Sequence, residues 1–198
     1  MFVQVIQGKV ADEDGLRAAM DRWMRDCRPG AIGWLGSTAG FTDDGTFITV
    51  VRFESEDAAR RNSDRAEQGA WWAETAKCFA GDVTFMDSSD VTTWLAGGSD
   101  DAGFVQIIEG HYQHPDQMKA MMEAHSDELH EMRPEIIGGT VAMQPDGGYV
   151  QAVYFTSEAE AREHESVPPP PEVAEMMAAE MQDAIFLDLH HPMMMSPN

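Results

Sequence analysis

The sequence predicts an α+β fold in which one ferredoxin-like βαββαβ unit occurs twice. The segment FVQVIQG at Phe2–Gly8 returns as FVQIIEG at Phe104–Gly110, 102 residues later. The pattern Phe-x-Ser-Glu-x-x-Ala-Arg begins at Phe53 and again, at the same offset, at Phe155. Because order and spacing persist over most of the 198 residues, the chain contains a tandem duplication and not a chance similarity.

The first half of the repeat reads as a strand, a helix and a hairpin. Apolar residues on both faces of residues 2–10 indicate a strand covered on both sides. Residues 12–27 carry an apolar helical stripe, which Pro29 ends. The stripe consists of Leu16, Met20, Trp23 and Cys27. Residues 31–41 and 46–54 predict two strands joined by a hairpin turn.

The second half of the repeat supplies a helix and a last strand. Ser55, followed by two acidic residues, predicts the start of a helix, since its side chain can cap free N–H groups. This helix is expected to be interrupted near residues 63–69, and residues 83–88 predict the last strand. The order βαββαβ is the split βαβ arrangement of a ferredoxin-like unit.

The repeats are expected to form domains at residues 1–97 and 103–198. Prolines at 168–171 should break the second helix of the second repeat, with Pro171 at its restart. The ending HPMMMSPN is expected to be frayed. Helices would cover one face of each sheet, so the other faces can join as an eight-stranded, pseudo-dimeric α+β barrel. Internal pairing makes a monomer the expected state, with a homodimer as the alternative.

The net charge of −22 restricts the partners. Such an acidic surface repels phosphate groups, which argues against nucleic-acid and membrane partners. No apolar run approaches the ~20 residues of a membrane span, and no cleavable signal pattern is found at the start. Cys27 and Cys78 have neither CxxC nor metal-site spacing, so reduced thiols and a cytoplasmic location are expected.

The two repeats differ in their special side chains. All five tryptophans lie before residue 97, and all seven histidines lie after residue 103. This divergence favours one specialised site over two equal ones, while simple drift is the alternative.

The repeated segments resemble the dimeric α+β barrel superfamily, and the antibiotic-biosynthesis-monooxygenase type in particular. The resemblance is carried by the two first-strand segments, the Phe-x-Ser-Glu-x-x-Ala-Arg step and the broken second helix. It implies a small hydrophobic or aromatic ligand bound between sheet and helices. It also implies cofactor-independent oxygenation of a phenol or quinol. The alternatives are a non-catalytic carrier and a haem-binding or haem-degrading protein.

Three residues are the catalytic candidates: His125, Glu109 and His164. His125 shares a stripe with Met118, Met122 and Leu129, which predicts a half-buried imidazole that could act as a base. A hydrogen-bonded core histidine is the alternative for His125, and an exposed helical position is the alternative for His164. Glu109 lies within an apolar strand, where it could line a cavity or reach solvent near the strand end.

The substrate-binding candidates are Gln7, Trp23, Asn62, Trp72, His111 and Met122. Gln7 and His111 lie on the first strands of the repeats, and either could instead reach solvent. Trp23 and Asn62 occupy the positions that His125 and His164 hold in the second repeat. Trp72, with Trp71, could wall a pocket or serve only in packing.

No metal site is predicted, because the histidine spacings give no convergent set of three ligands. Haem has partial support in Gln7 and the pair Trp71-Trp72, whose positions match those of haem-degrading members of the superfamily. The first repeat has no histidine to serve as an axial ligand, and the second repeat has no tryptophan.

Overall fold

The computed structural model describes residues 1–167 and 171–197. They form two compact units. The first unit combines residues 1–89 with the end of the chain from Met193, and the second is Asp90–Pro192. The proline break predicted at residues 168–170 lies outside the described residues. The helix after it begins at Pro171, as expected.

The first unit contains a five-stranded antiparallel sheet in the order β10-β2-β3-β1-β4. Its strands are β1 (Phe2–Lys9), β2 (Trp34–Phe41), β3 (Thr46–Phe53), β4 (Thr84–Ser88) and β10 (Met193–Met195). Its helices are α1 (Glu13–Arg22), α2 (Glu56–Ser63) and α3 (Ala66–Thr75). A π-helical turn, Trp23–Cys27, extends α1.

The second unit repeats this plan in a sheet ordered β5-β7-β8-β6-β9. Its strands are β5 (Asp90–Leu95), β6 (Phe104–His111), β7 (Ile136–Met143), β8 (Gly148–Phe155) and β9 (Ile185–Leu189). Its helices are α4 (Pro115–Met132), α5 (Glu158–Glu165) and α6 (Pro171–Glu180). The α+β class and the two ferredoxin-like repeats are therefore confirmed.

Each sheet has five strands, and not the four that the repeat predicts. Strand β5 precedes the second repeat in sequence but pairs with β7 of the second sheet. Strand β10 pairs with β2 of the first sheet. The expectation of a frayed ending is wrong for Met193–Met195, because backbone pairing and the burial of Met195 hold this segment in the first unit.

The repeated sequence motifs have equivalent structural roles. Gln4 donates a hydrogen bond to Asp87 at 2.8 Å, and Gln106 donates one to Asp188 at 2.9 Å. Each bond ties the first strand of a repeat to its last strand. The serine of the Phe-x-Ser-Glu step caps the following helix in both repeats, through the N–H groups of residues 58 and 160.

In the first strand of each repeat, the initial phenylalanine and every second residue after it face the helices. Phe2 and Phe104 belong to the cores that pack against the helices. Since strand residues alternate between faces, Gln4 and Gln106 share that side. The opposite face of each sheet is buried too, for example at Val3 and at Val105.

No helix in the described parts of the chain is long and apolar enough to cross a membrane.

Candidate functional site

The interior of the second unit lies between the helix-facing side of its sheet and helices α4 and α6. Strand register places side chains of this face in two rows. One row is Trp94, Gly139, Val153 and Gln106, and the next is Thr92, Val141, Gln151 and Ile108. Helix α4 packs over β5, where Lys119 also pairs with Asp90. We call this space the second-unit interior.

The indole of Trp94 lies directly on Gly139. A Cβ atom at residue 139 would overlap the ring atoms Cε2 and Cζ2 of Trp94, so only glycine admits the indole in this position. Trp94 is 6% exposed. Its Nε1 has no hydrogen-bond partner among the described residues, and the same holds for Oγ1 of the buried Thr92. An indole N–H can only donate, so this edge of the interior lacks an acceptor.

Two stacked phenols form another edge of the interior. The rings of Tyr112 and Tyr149 are 3.7 Å apart and 7° from parallel. Tyr112 Oη donates to Gln151 Oε1 at 3.3 Å. Although the two phenol groups are neighbours, no hydrogen bond of good geometry reaches Tyr149 Oη. Burial raises the pKa of both phenols, so they are neutral donors at physiological pH.

Methionines supply much of the lining from the helices. Met118 of α4 is buried, and Met121, Met122 and, on α6, Met176 are half-buried against the same core. Methionine side chains are flexible and polarizable, so they can adapt to the shape of an aromatic ring. The lining is therefore suited to a flat apolar body.

The carboxylate of Glu180 closes one end of the interior. At the end of α6, it accepts hydrogen bonds from the backbone N–H of His114 at 3.0 Å and from His114 Nδ1 at 2.7 Å. Hydrogen bonding from His114 lowers the pKa of Glu180. This contact joins the last turn of α6 to the start of α4.

The interior of the first unit contains three tryptophans whose N–H groups are paired. Trp23 donates to Gln68 at 2.7 Å, and Trp71 donates to the Ala19 carbonyl at 2.7 Å. Trp34 donates to Ser37 at 2.9 Å. Among the described residues, the buried side-chain polar atoms without a hydrogen-bond or ion-pair partner belong to the second unit: Thr92, Trp94, Thr140 and Tyr149. The second-unit interior is therefore the one that contains buried polar groups without partners.

The candidates of the first repeat are dispersed in the first unit. Gln7 lies on the sheet face away from the helices, because it alternates with Ile6 and Gly8. Trp23 is a core side chain, packed edge-on against Trp34 at 4.7 Å. Trp72 is half-buried and contacts Phe85 edge-on at 5.4 Å.

His125 is not half-buried as the stripe predicted. Its side chain is 58% exposed, and Nδ1 pairs with Glu128 on the same helix at 2.9 Å. The inward position on this turn of α4 is held by the half-buried Ser126. Residues 118 and 125 differ by only about 20° in direction around the helix, so His125 is exposed because little of the core covers this turn of α4, where Ser126 and Leu129 are the half-buried residues. Met122, from the same stripe, does face the second-unit interior.

Glu109 and His111 lie on the face of β6 that points away from the helices. Glu109 is half-buried and pairs in register with Val150 and Ile185. His111 is exposed, and its Nε2 contacts the carbonyl of Asp146 in the following hairpin. Neither lies with Met122 in the second-unit interior.

His164 and Asn62 make equivalent contacts between a helix and a loop in the two units. His164 Nδ1 lies 3.1 Å from a carboxylate oxygen of Glu135, which is buried at the entry to β7. Asn62 accepts hydrogen bonds from the Ile32 N–H at 3.2 Å and from Arg65 at 3.1 Å, at the entry to β2. In each unit the side chain holds the second helix to the loop before the second strand.

Residues 1–167 and 171–197 contain no group of three or more His, Cys, Asp or Glu side chains that could hold a metal ion. The two cysteines are buried and unpaired, and burial raises the pKa of both thiols. Four of the five tryptophans lie in the first unit, but Trp94 belongs to the second unit, contrary to the expectation that all five lie in the first.

Sequence reasoning missed Trp94, Thr92, Tyr149 and Gln151. The available signal was Gly138-Gly139 in the middle of a strand, because glycine there indicates a close approach by another group. Nothing local identified Trp94 as that group.

No family model and no curated protein matches this chain. Solved structures match it over nearly its whole length. A proposed monooxygenase from Lactobacillus acidophilus is 13% identical with a TM-score of 0.75, covering 100% of this chain and 96% of that one. A proposed monooxygenase from Fusobacterium nucleatum is 10% identical with a TM-score of 0.77, covering 98% and 94%. An anthrone oxidase-like protein is 8% identical with a TM-score of 0.63, covering 98% and 92%. The chain therefore shares its fold with these three structures.

Proposed function

We propose that the protein binds a small, flat, apolar or aromatic molecule in the second-unit interior. The observation that carries this proposal is the set of unpartnered polar atoms on Trp94, Thr92 and Tyr149, set beside a methionine lining. Nearly all buried polar groups in proteins have partners, so atoms left without one favour a ligand that completes them. Among the described residues of the first unit, no buried side-chain polar atom lacks a partner, which supports the choice of the second unit.

The chemistry we propose is cofactor-independent oxygenation of a phenol or quinol. The fold likeness to proposed monooxygenases and to an anthrone oxidase-like protein supports this reaction type. A base removes the phenolic proton, and the electron-rich anion reacts directly with dioxygen. Where the anion is conjugated with a ring CH₂ group, one oxygen atom becomes a carbonyl and the other leaves as water. The substrate then supplies all the electrons, and no external reductant is needed.

The sequence resemblance makes His125 or Glu109 the candidate base, with His164 and Gln7 as groups that orient the oxygen atoms, but the exposure of His125 and the position of Glu109 on the other face of the sheet argue against both. Trp72 and Met122 are proposed to line the pocket. The position of Met122, packed against the core of the second unit, supports its assignment. The other assignments rest on the sequence resemblance, and variants of each residue in an oxygen-uptake assay test them.

A non-catalytic carrier is the second candidate. It is favoured by the phenols of the second-unit interior, since burial raises the pKa of Tyr112 and Tyr149 and keeps both protonated near neutral pH. Such groups can hold a ligand oxygen without exchanging a proton with it.

The equivalent methionines Met122 and Met20 provide a matched test of the binding site. Met122→Trp should fill the second-unit interior, whereas Met20→Trp enlarges the corresponding side chain of the first unit. The purified proteins are analysed by mass spectrometry for bound aromatic compounds and by an oxygen electrode with phenols and quinols. We expect binding or uptake to be lost only in Met122→Trp. Equal loss in a folded Met20→Trp would contradict the site, and a haem absorption band on adding haemin would favour haem binding instead.

A further inference from the structure

We propose that Tyr112 and Tyr149 form a site of oxidative modification, where one-electron oxidants join the two phenol rings by a carbon–carbon bond. The product is an intramolecular dityrosine, which links the segment after β6 to strand β8. The corresponding residues of the first repeat are Val10 and Phe47, so the pair belongs to the second unit. The cross-link needs no bound ligand, and this inference therefore stands apart from the proposed binding function.

The two phenol rings already lie face to face. Their centroids are 3.7 Å apart and their planes are 7° from parallel. Burial and, after it, the neighbouring phenol of Tyr149 raise the pKa of Tyr112, so the hydroxyl ends of the two rings lie together. The ring carbons beside the hydroxyl groups, the Cε atoms, therefore face each other. Phenoxyl radicals couple at these carbons, because they share the unpaired electron with the oxygen.

The surrounding residues hold the rings in this arrangement. Gly110 lies opposite Tyr149 in the strand pairing, and a Cβ atom at residue 110 would lie 2.9 Å from Tyr149 Oη. Tyr112 Oη donates to Gln151 Oε1 at 3.3 Å. Tyr112 is 1% exposed and Tyr149 is 2% exposed, so a phenol of another molecule has no access to either ring. Coupling is therefore confined to the pair.

The modification is a two-electron oxidation. Each phenol gives up one electron and one proton and becomes a phenoxyl radical. The two radicals form the new bond between Cε atoms, and the hydrogen atom on each of these carbons then moves to the oxygen, which restores both aromatic rings. Two one-electron oxidants, such as radicals derived from peroxide, take up the electrons, which tunnel through the packed protein to reach them. The two protons pass to solvent, and the carboxylate of Glu180 lies near Tyr112 as a first acceptor.

The cross-link would fasten the start of helix α4 to the sheet. Tyr112 lies shortly before His114, which donates from its N–H and from Nδ1 to Glu180 at the end of α6. A bond to Tyr149 closes the chain that runs through α4 and β7 to β8 into a ring. Closing such a ring restricts the unfolded chain, so the cross-linked protein should unfold at a higher temperature.

The three tyrosines of the chain allow a matched test. The third, Tyr154, is also buried but lies on the other face of β8 from Tyr149, since strand residues alternate between faces. The folded full chain and the variants Tyr112→Phe, Tyr149→Phe and Tyr154→Phe are oxidised by a ruthenium(III) trisbipyridyl complex, generated by light and persulfate. Dityrosine fluorescence, the intact mass and peptide mass spectrometry identify the product. Wild-type protein in urea is the control for the fold, and thermal unfolding before oxidation verifies that each variant is folded.

We expect the folded wild type and Tyr154→Phe to give dityrosine within single chains, with loss of two hydrogen atoms from the intact mass and a raised unfolding temperature. Tyr112→Phe and Tyr149→Phe should lose the product, and the wild type in urea should give much less of it. Absence of dityrosine from the folded wild type, while its tryptophans or methionines are oxidised, would overturn the inference. Persistence of the product in Tyr149→Phe, or its loss in Tyr154→Phe, would do the same.

Discussion

Trp94 and Gly139 form one contact that shapes the second unit, with the indole resting where any other residue would place a Cβ atom. The tryptophan comes from β5 and the glycine from the neighbouring strand β7. The contact buries a large aromatic surface, and the buried Nε1, which also lies close to Gly139, has no hydrogen-bond partner among the described residues. Packing and ligand recognition thus depend on the same side chain.

Gly139→Ala should destabilise the protein, because the new methyl group overlaps the indole of Trp94. We expect a loss of about 1–3 kcal/mol, as for other overpacked cores. Urea unfolding followed by tryptophan fluorescence measures it. Gly69→Ala is the control, since residue 69 lies in helix α3 with open space around it, and it should be neutral or stabilising by about 0.5–1 kcal/mol. Equal stability of the two variants would show that the indole is not held on Gly139.

The two stacked tyrosines should respond in opposite ways to loss of their hydroxyl groups. Tyr149→Phe removes a buried hydroxyl that has no partner, so the unliganded protein should be unchanged or stabilised by about 1 kcal/mol. Tyr112→Phe removes the donor to Gln151 and should destabilise by about 1 kcal/mol. Thermal unfolding without ligand compares them. If Tyr149→Phe were the more destabilising variant, its hydroxyl must have a protein partner.

The equivalent aspartates Asp188 and Asp87 should differ in their contribution to stability. Asp188 accepts from the buried Gln106 and also pairs with Arg162. Asp188→Ala leaves a buried amide unpaired and should cost about 1–3 kcal/mol. Asp87 lies exposed at the corresponding position, so Asp87→Ala should cost less than about 1 kcal/mol. Equal losses in urea unfolding would contradict this difference.

The free energy of unfolding should decrease in acid, partly because Glu180 becomes protonated. The hydrogen bond from His114 lowers its folded-state pKa below the ordinary value of 4.5. The stabilisation of the folded state by ionised Glu180 is therefore complete above the unfolded-state pKa of this carboxyl group. It is lost as the pH falls through the lower folded-state pKa. Glu180 also faces Tyr112, whose phenol stays protonated throughout this range.

Unfolding free energies measured between about pH 5 and pH 3 test this contribution. Glu180→Gln should show a shallower decrease than the wild type. Glu175→Gln, an exposed change on the same helix, should follow the wild type. Parallel curves for all three proteins would rule out a role for the His114 contact.

His125→Ala should retain oxygen uptake within about twofold, because the exposed imidazole is not positioned to act on a buried ligand. Its imidazole is 58% exposed and pairs with Glu128 of the same helix at 2.9 Å. Glu109→Gln is measured beside it with the same phenols and quinols. A loss of more than about tenfold in a folded His125→Ala variant would establish the histidine as the base, as the sequence proposed.

The duplicated elements were predictable because their patterns are local and occur twice. Strands β5 and β10 were not, since their pairing is decided by distant partners on β7 and β2. The candidate site was not predictable for the same reason, because the indole of Trp94 comes from outside the second repeat and packs into the core of the second unit. Strand residues on both faces are apolar, so alternation alone could not say whether Gln4 or Gln7 faces the helices.

The most direct test of the binding site follows the five indole N–H signals in a nitrogen-15 correlation spectrum during titration with fluorenone, a flat tricyclic ketone. Trp94→Phe assigns the Trp94 signal by its absence. This signal should move strongly, while those of Trp23 and Trp71, which already donate to Gln68 and Ala19, should stay in place. A stationary Trp94 signal, with fluorenone bound and other indoles shifted, would place the ligand elsewhere.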